Sequence, residues 1–190
     1  MNIFVLDEDP AIAAQMMCDK HIPKMIVETF QMLGSALRRH GATDEQMPLT
    51  SKGTPLIGGY KHHPCTIWAG ETKTNFVWLC LHGRALCQEY QFRYGKTHSC
   101  HDGIDQMCDM FDMIPNGPQT PYAQAMEDEY KCDDAVDAYR QYYIMEKAYF
   151  AKWEKGRPAP QWWPHGPVDR HGDPVFIHKV RAGEEMVGGV

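Results

Sequence analysis

The chain has 190 residues, 43% of them apolar, which suits one well-packed domain and is too short for two. No apolar run approaches the roughly 18 residues that span a bilayer, and the acidic N-terminal segment lacks the basic start of a signal peptide, so we expect a cytoplasmic protein without membrane contact. Seven scattered cysteines without a C-x-x-C pair are typical of reduced thiols and argue against a structural zinc site.

The net charge of −6 is concentrated in one segment of the chain. Residues 102–137 carry ten acidic side chains against a single lysine, whereas residues 1–101 carry ten basic and nine acidic ones. The chain is therefore not a strongly basic duplex binder of the usual kind. A phosphate-binding face outside the acidic segment is still compatible with this distribution.

The N-terminal third predicts an extended start and two helices. The apolar stretch "NIFVLD" suits one short buried strand or an extended segment. Asp9 as N-cap and Pro10 at the first helical position predict a helix directly after it. A second helix is predicted from Pro23 to about Arg39, because apolar residues recur there at helical spacing and Gly41 follows as a stop.

The rest of the chain predicts further helices separated by long loops. The predicted segments are a loop over 41–62, a helical region from 64 to Gly95, a short helix near 103–113, and a last helix from Asp133 or Asp134 to Gly156. We expect a mostly α, single-domain helical bundle over residues 1–160. A C-terminal extension rich in Pro, Gly and Trp should follow over residues 161–190.

The second predicted helix carries the densest set of reactive side chains. A polar stripe beside its apolar face consists of Lys24, Glu28, Gln31 and Ser35. Asp19 and His21 lie just before it, where free backbone N–H groups attract anions. Glu28, His21 and Lys24 are the candidate catalytic residues, with Asp19 as a substrate contact. The alternative is a solvated helix face with a Lys–Glu pair and an Asp cap.

The long helix predicted before Gly95 carries a second polar stripe. Its members are Asn75, His82, Glu89 and Arg93, of which Asn75, Glu89 and Arg93 are candidate substrate contacts. Polar groups on an apolar seam face either a substrate cleft or partners in a buried network, since unpaired burial costs roughly 1–3 kcal/mol each. Arg93 also begins the basic cluster "RYGKTH", in which Lys96 and His98 could join it in phosphate contact. The same cluster would also suit a helix C-terminus stabilised by cations.

Histidines in the middle of the chain allow a metal-dependent alternative. His63, a further candidate substrate contact, lies at a predicted helix start, where a structural role is more common than a catalytic one. The order His63, His101–Asp102, Asp134 is similar to the H…HD…D pattern of HD phosphohydrolases, whose residues bind a divalent metal ion that activates water.

The order D-x-H-x6-E, formed here by Asp19, His21 and Glu28, resembles the first helix of the phage pyrimidine-dimer DNA glycosylase (endonuclease V) family. His63 leading into an aromatic-rich helix that ends in "RYG", and the segment "KWEKGRPAPQWW", are similar to further features of that family. The chain also resembles uncharacterised phage proteins. That resemblance implies a location in the host cytoplasm but does not indicate a mechanism. The resemblance to the glycosylases implies a small, all-α enzyme without a cofactor.

The resemblance also implies a mechanism, with departures at specific positions. In the family, an N-terminal amine attacks the sugar C1′ to form a Schiff base, and the glutamate, here Glu28, stabilises charge and moves protons. Asn2 is a poor second residue for removal of Met1, so Met1, Lys24 or water would have to attack, and we expect weak or no trapping by borohydride. Val27 and Gln31 replace the arginines beside the family's glutamate, which implies that phosphate contact has moved, for example to Arg93 and Lys96.

Three functions follow from these patterns. The first is an enzyme acting on a nucleic-acid base or nucleotide by N-glycosidic chemistry, with Glu28, His21 and Lys24 as its catalytic residues, DNA or a nucleotide as substrate and no cofactor. The second is the metal-dependent nucleotide phosphohydrolase. The third is a non-catalytic phage interaction module whose acidic segment docks a basic partner or mimics the charge of DNA.

Overall fold

The computed structural model describes residues 1–164 and shows a helical protein. Its six α-helices are α1 (Pro10–Met16), α2 (His21–Arg39), α3 (Pro64–Ala69), α4 (Lys73–Tyr94), α5 (His101–Cys108) and α6 (Ala135–Lys147). This confirms the predicted mostly α bundle. The predicted extension over residues 161–190 lies, from residue 165 onward, outside the described residues. Within the part that is described, Trp162 and Trp163 pack against the core.

The first two helices begin where short-range chemistry favours it. Asp9 accepts hydrogen bonds from the Ala11 and Ile12 N–H groups, and Pro10 occupies the first position of α1. Helix α2 starts at His21, two residues before the predicted start at Pro23. Proline is tolerated in a first helical turn because its missing N–H would have no intrahelical acceptor there.

The N-terminal segment is extended and buried but forms no strand. Within residues 1–164 the single β-bridge joins Leu49 to Pro55, so the possible strand "NIFVLD" is absent. Ile3, Val5 and Leu6 are nearly inaccessible to solvent, and the backbone is held instead by side chains. One such contact is the Arg140 Nε–H, which donates to the Leu6 carbonyl over 2.9 Å.

Helix α4 is the central element of the bundle. It packs against α1, α2 and α5, and Gly83 lies at its contact with α2. A Cβ at that position would lie 2.8 Å from the Thr29 methyl group of α2. Gly95, with φ 65°, ends the helix in the left-handed conformation, as predicted.

The two C-terminal helical predictions were too long. Helix α5 ends at Cys108, and a separate 3-10 turn covers 111–113. Helix α6 ends at Lys147 rather than near Gly156, because the following backbone bonds to another element. The Asp19 N–H donates to the Lys152 carbonyl, and the Glu154 N–H donates to the Asp19 carboxylate. Among the described helices, none is both long enough and apolar enough to cross a membrane.

Candidate active site

A cleft of about 190 Å³ opens where the N-terminal segment meets the first turns of α2. Its floor contains Glu28 and His21, and its other wall is formed by α6 and the residues that follow it. The three candidate catalytic residues, Glu28, His21 and Lys24, all line this cleft. The cleft lies at the beginning of the helix that carries the polar stripe.

Glu28 lies among nitrogen atoms of the N-terminus. Its Oε2 accepts a hydrogen bond from the Asn2 N–H over 2.9 Å and lies 3.7 Å from the Met1 ammonium nitrogen. Its Oε1 lies 3.6 Å from Lys24 Nζ. The Glu28 side chain is only 13% exposed, whereas that of Lys24 is 63% exposed. A carboxylate and two amines thus meet at the cleft.

The Asn2 side chain holds the N-terminal segment in place. Its Nδ2 donates to the Ala125 carbonyl over 2.8 Å, and its Oδ1 accepts from the Ile3 and Phe4 N–H groups. Phe4 has φ 39°, a left-handed conformation that is costly for a bulky side chain. Its ring is stacked 4.8 Å from the His21 ring, which keeps the turned segment over α2. The N-terminus is therefore positioned rather than loose.

His21 is a buried neutral imidazole. Its Nδ1 lies 2.8 Å from the Tyr143 hydroxyl oxygen, which also accepts a hydrogen bond from the Cys18 N–H. In the tautomer in which Nδ1 accepts the Tyr143 proton, the ring proton lies on Nε2. Burial, reinforced by Lys24, Lys147 and Lys20, lowers the pKa of His21 to about 3. His21 can therefore offer a neutral N–H donor, but not a cation, at ordinary pH.

Buried neutral histidines should make the protein sensitive to acid. Burial lowers the pKa of His82 to about 4, as it lowers the pKa of His21 to about 3. Below an ordinary histidine pKa of about 6.5 the unfolded chain binds protons that the folded protein does not, so the free energy of unfolding should fall with pH, by about 1 kcal/mol per pH unit for each group. Urea unfolding between about pH 7 and about pH 5 measures this slope. His82→Gln should flatten it, and an unchanged slope would refute the assignment.

The wall opposite Glu28 was not anticipated from the sequence. It consists of Tyr142, Lys147, Tyr149 and Phe150. Lys147 Nζ lies 4.5 Å from the centre of the Tyr142 ring, and Lys20 Nζ lies 4.7 Å from that of Phe150. The aromatic density of "YRQYYIMEKAYF" was the one available signal, but it is equally typical of a buried helix. The wall combines flat apolar faces with cations.

His63 lies near this cleft but has a structural contact of its own. It is the N-cap of α3, where its Nδ1 accepts the Cys65 N–H over 3.2 Å. Burial and the Met1 ammonium lower its pKa, while the Glu28 carboxylate acts in the opposite direction. His63 therefore lies within electrostatic reach of the Glu28 and Met1 pair.

Three of the predicted substrate contacts, Asp19, Glu89 and Arg93, lie in a buried ion network instead. Arg93 donates from Nη1 to Asp19 and the Met17 carbonyl, from Nη2 to the Gln15 carbonyl, and from Nε to Glu89. Glu89 also forms an ion pair with Arg157, whose Nη2 lies 2.6 Å from Glu89 Oε1. Each nitrogen of Arg93 donates within the protein, and its side chain is 0% exposed, so it does not reach a phosphate in solvent. The contacts give Arg93 the role of joining α4 to the junction between α1 and α2.

The other predicted contacts are also separate from the cleft lining. Asn75 is fully buried and bonds to Thr120 and the Trp68 carbonyl, as in a structural network. Lys96 is exposed beyond the end of α4. The His98 ring packs edge-on against Tyr90, and its Nδ1 accepts the Cys100 N–H.

The residues of the metal-dependent alternative lie at the starts of three helices. His63 begins α3, His101 and Asp102 begin α5 with their side chains 2.9 Å apart, and Asp134 caps α6. In residues 1–164, no group of three or more His, Cys, Asp or Glu side chains is arranged to hold a metal ion.

The comparisons with known proteins agree with the geometry at the N-terminus. The family model described as "Pyrimidine dimer DNA glycosylase" matches residues 1–102, from the N-terminal segment through α4 to the start of α5. No curated protein and no solved structure matches the chain. The matched part contains Glu28 and His21, whereas the aromatic wall lies beyond it. The family's chemistry is N-glycosidic base excision, and its substrate is DNA. The chain belongs to the pyrimidine dimer DNA glycosylase family.

Proposed function

We propose that this cleft excises a damaged pyrimidine from DNA by attack of the Met1 α-amine on the sugar C1′, with Glu28 as the charge-stabilising carboxylate. The observation that carries the proposal is the position of the Met1 nitrogen, 3.7 Å from Glu28 Oε2. The Asn2 N–H donates to the same oxygen and thereby orients the carboxylate toward the N-terminus.

The proposed reaction replaces one bond at C1′ with another. The neutral amine nitrogen forms a bond to C1′ as the N-glycosidic bond breaks, and the base leaves with the bonding electron pair and takes up a proton. Positive charge develops on the sugar, where the Glu28 carboxylate stabilises it. The base takes up one of the two amine protons. The C1′–O4′ bond then breaks with its electron pair on O4′, which takes up the other proton and leaves an imine between the protein nitrogen and C1′.

Met1 is the better of the two candidate amines. Lys24 Nζ is 3.6 Å from Glu28 but belongs to a largely exposed, flexible side chain. The Met1 amine is held by the anchored Asn2 backbone, and α-amines as a class bind their proton less tightly than lysine side chains. Removal of Met1, for which Asn2 is unfavourable, is not needed, because the unprocessed amine already lies at Glu28. This argues for covalent trapping, where the sequence led us to expect little.

The remaining cleft residues supply binding. The faces of Tyr149 and Phe150 suit a nucleobase that has left the stack, and the neutral His21 Nε2–H suits an acceptor on the base or sugar. Lys20, Lys24 and Lys147 surround His21 closely enough to act on its charge state. We assign to them the phosphate contacts that arginines beside the glutamate make elsewhere in the family.

Borohydride trapping tests the nucleophile. A duplex with one abasic site is incubated with the protein and borohydride, which reduces an imine to a stable secondary amine. We expect a cross-link that peptide mapping assigns to Met1. Lys24→Arg, which keeps the positive charge and removes the primary amine, should still be trapped. A cross-link on Lys24, or none in the wild type, would refute attack by the Met1 amine.

A further inference from the structure

Tyr60 is an exposed aromatic residue on a strained backbone. Its side chain is 68% exposed, its φ is 51°, and its ring stacks on no other ring in residues 1–164. A left-handed conformation is rare for a bulky residue and persists only where the surrounding structure enforces it. Burial does not explain this strain, because the ring is in solvent.

The loop that carries Tyr60 is fixed to α2. Ser35 Oγ accepts the Gly59 N–H over 2.8 Å and contacts the Gly59 carbonyl over 2.9 Å. Arg39 Nη2 donates to the Lys61 carbonyl over 2.6 Å. A Cβ on Gly58 would lie 2.2 Å from Ser35 Oγ, so the loop and helix backbones are in direct contact. These contacts hold Tyr60 in its strained conformation.

The polar stripe of α2 places this loop next to the cleft. Glu28 and Lys24, at the start of the stripe, line the cleft, whereas Gln31 and Ser35, one and two turns later, hold Gly59. The stripe thus joins the reactive carboxylate to the loop that presents Tyr60.

The surface around Tyr60 suits a nucleic-acid backbone. Residues 46–70 contain no acidic residue, although the chain has 25 in total. Lys61 and His62, next to Tyr60, are exposed, and Ile57, 79% exposed, adds a second apolar side chain. An apolar group beside a lysine on a rigid loop is typical of side chains that enter a base stack.

We propose that Tyr60 inserts into the DNA duplex at the lesion and occupies the gap left by a nucleotide that has turned out of the stack. The inference rests on the proposed function and adds to it the element that holds the duplex open. Extrusion of a base costs stacking and pairing energy, and an aromatic ring that replaces the lost stacking partner offsets part of it. Tyr60 is then a positioning residue, needed for a paired substrate and dispensable for an unpaired one.

The test compares Tyr60→Ala with Tyr60→Phe on two forms of one substrate. An oligonucleotide with a single cyclobutane thymine dimer is used as a duplex and as a single strand. Tyr60→Ala should lower the excision rate on the duplex about tenfold or more, an effect in the range of one lost stacking contact, and change the single-strand rate far less. Tyr60→Phe should restore the duplex rate, because it retains the ring. Leu81→Ala, which removes an apolar side chain 48% exposed on α4, is the matched control.

A substitution that relieves the backbone strain at residue 60 distinguishes the loss of the aromatic ring from a loss of fold stability. Tyr60→Gly should keep or raise the melting temperature, because glycine adopts a positive φ without steric cost, yet it should lose duplex activity as Tyr60→Ala does. Equal losses on duplex and single strand, or an unchanged duplex rate, would overturn the proposal. If Glu28→Gln is inactive while Tyr60→Ala and Tyr60→Gly are fully active on the duplex, the insertion alone fails. If Glu28→Gln is fully active, the proposed function fails.

Discussion

Glu28→Gln should lower the rate of base excision by about 10²-fold or more, in line with the usual contribution of a positioned carboxylate. Glutamine retains the length of the side chain and an oxygen that can accept the Asn2 N–H, so the fold should be kept. It removes the negative charge that lies 3.7 Å from the Met1 nitrogen. The charge that develops on the sugar would then lack its counterion. Single-turnover excision from a duplex with one thymine dimer measures the effect.

A measurement of DNA affinity distinguishes a loss of the chemical step in Glu28→Gln from a general loss of function. Affinity for a duplex with an uncleavable abasic analogue should be little changed in Glu28→Gln, because glutamate makes no attractive contact with phosphates. Lys24→Gln is the matched control: it removes the other partner of the ion pair on the same helix face and should weaken affinity more than it lowers the chemical rate. A glutamine variant with the wild-type rate on the duplex would remove Glu28 from the mechanism.

Arg93→Ala should destabilise the protein by about 3–5 kcal/mol, the usual cost when one partner of a buried ion network is removed. The substitution leaves the Asp19 carboxylate buried without its cation, and it frees the Met17 and Gln15 carbonyls at the junction between α1 and α2. Arg157 still pairs with Glu89, which limits the damage on that side. Because single domains are stable by only about 5–15 kcal/mol, urea unfolding should detect the loss clearly.

Arg84→Ala provides the matched comparison on the same helix. Arg84 pairs with Asp105 and Asp109 but is 40% exposed, so its loss should cost at most about 1 kcal/mol. Full stability in Arg93→Ala, together with weaker and less salt-dependent DNA binding, would restore Arg93 as a phosphate contact. The exposed Lys96 is the residue of the "RYGKTH" cluster for which the phosphate prediction stands.

Signals within one turn or one helix predicted the local structure well. The Asp9 cap and the Gly95 stop lie where the sequence placed them, since both act through neighbouring backbone groups. The predicted end of α6 was wrong because the helical periodicity of the sequence continues past Lys147. What stops the helix is the hydrogen bonding of Lys152 and Glu154 to Asp19, a residue that is far from both of them in sequence.

The same limit applies to the site. Glu28, His21 and Lys24 were recognised together because they share one helix turn and its entrance. The aromatic wall was missed because it lies far along the chain from α2: Tyr143, the neighbour of Tyr142 in the wall, meets His21 across 122 positions. Arg93 and Lys96 are neighbours in sequence, but Arg93 lies inside the last turn of α4 facing α1, whereas Lys96 follows Gly95 in solvent. Their proximity in sequence suggested that both contact phosphate, but the end of the helix places one side chain in the protein interior and the other in solvent.

The hydrogen bonds that join residues 2–21 to residues 125–150 determine when the site can form during synthesis of the chain. The ribosome releases the N-terminal part of the chain first, so Glu28 and the Met1 amine emerge well before Tyr143 and Ala125 exist. Until then Asn2 lacks its Ala125 anchor and His21 lacks Tyr143, so neither the amine nor the imidazole is held in position. A nascent chain therefore carries the reactive groups without the geometry to use them. The site of the proposed reaction is therefore complete only when translation has passed α6.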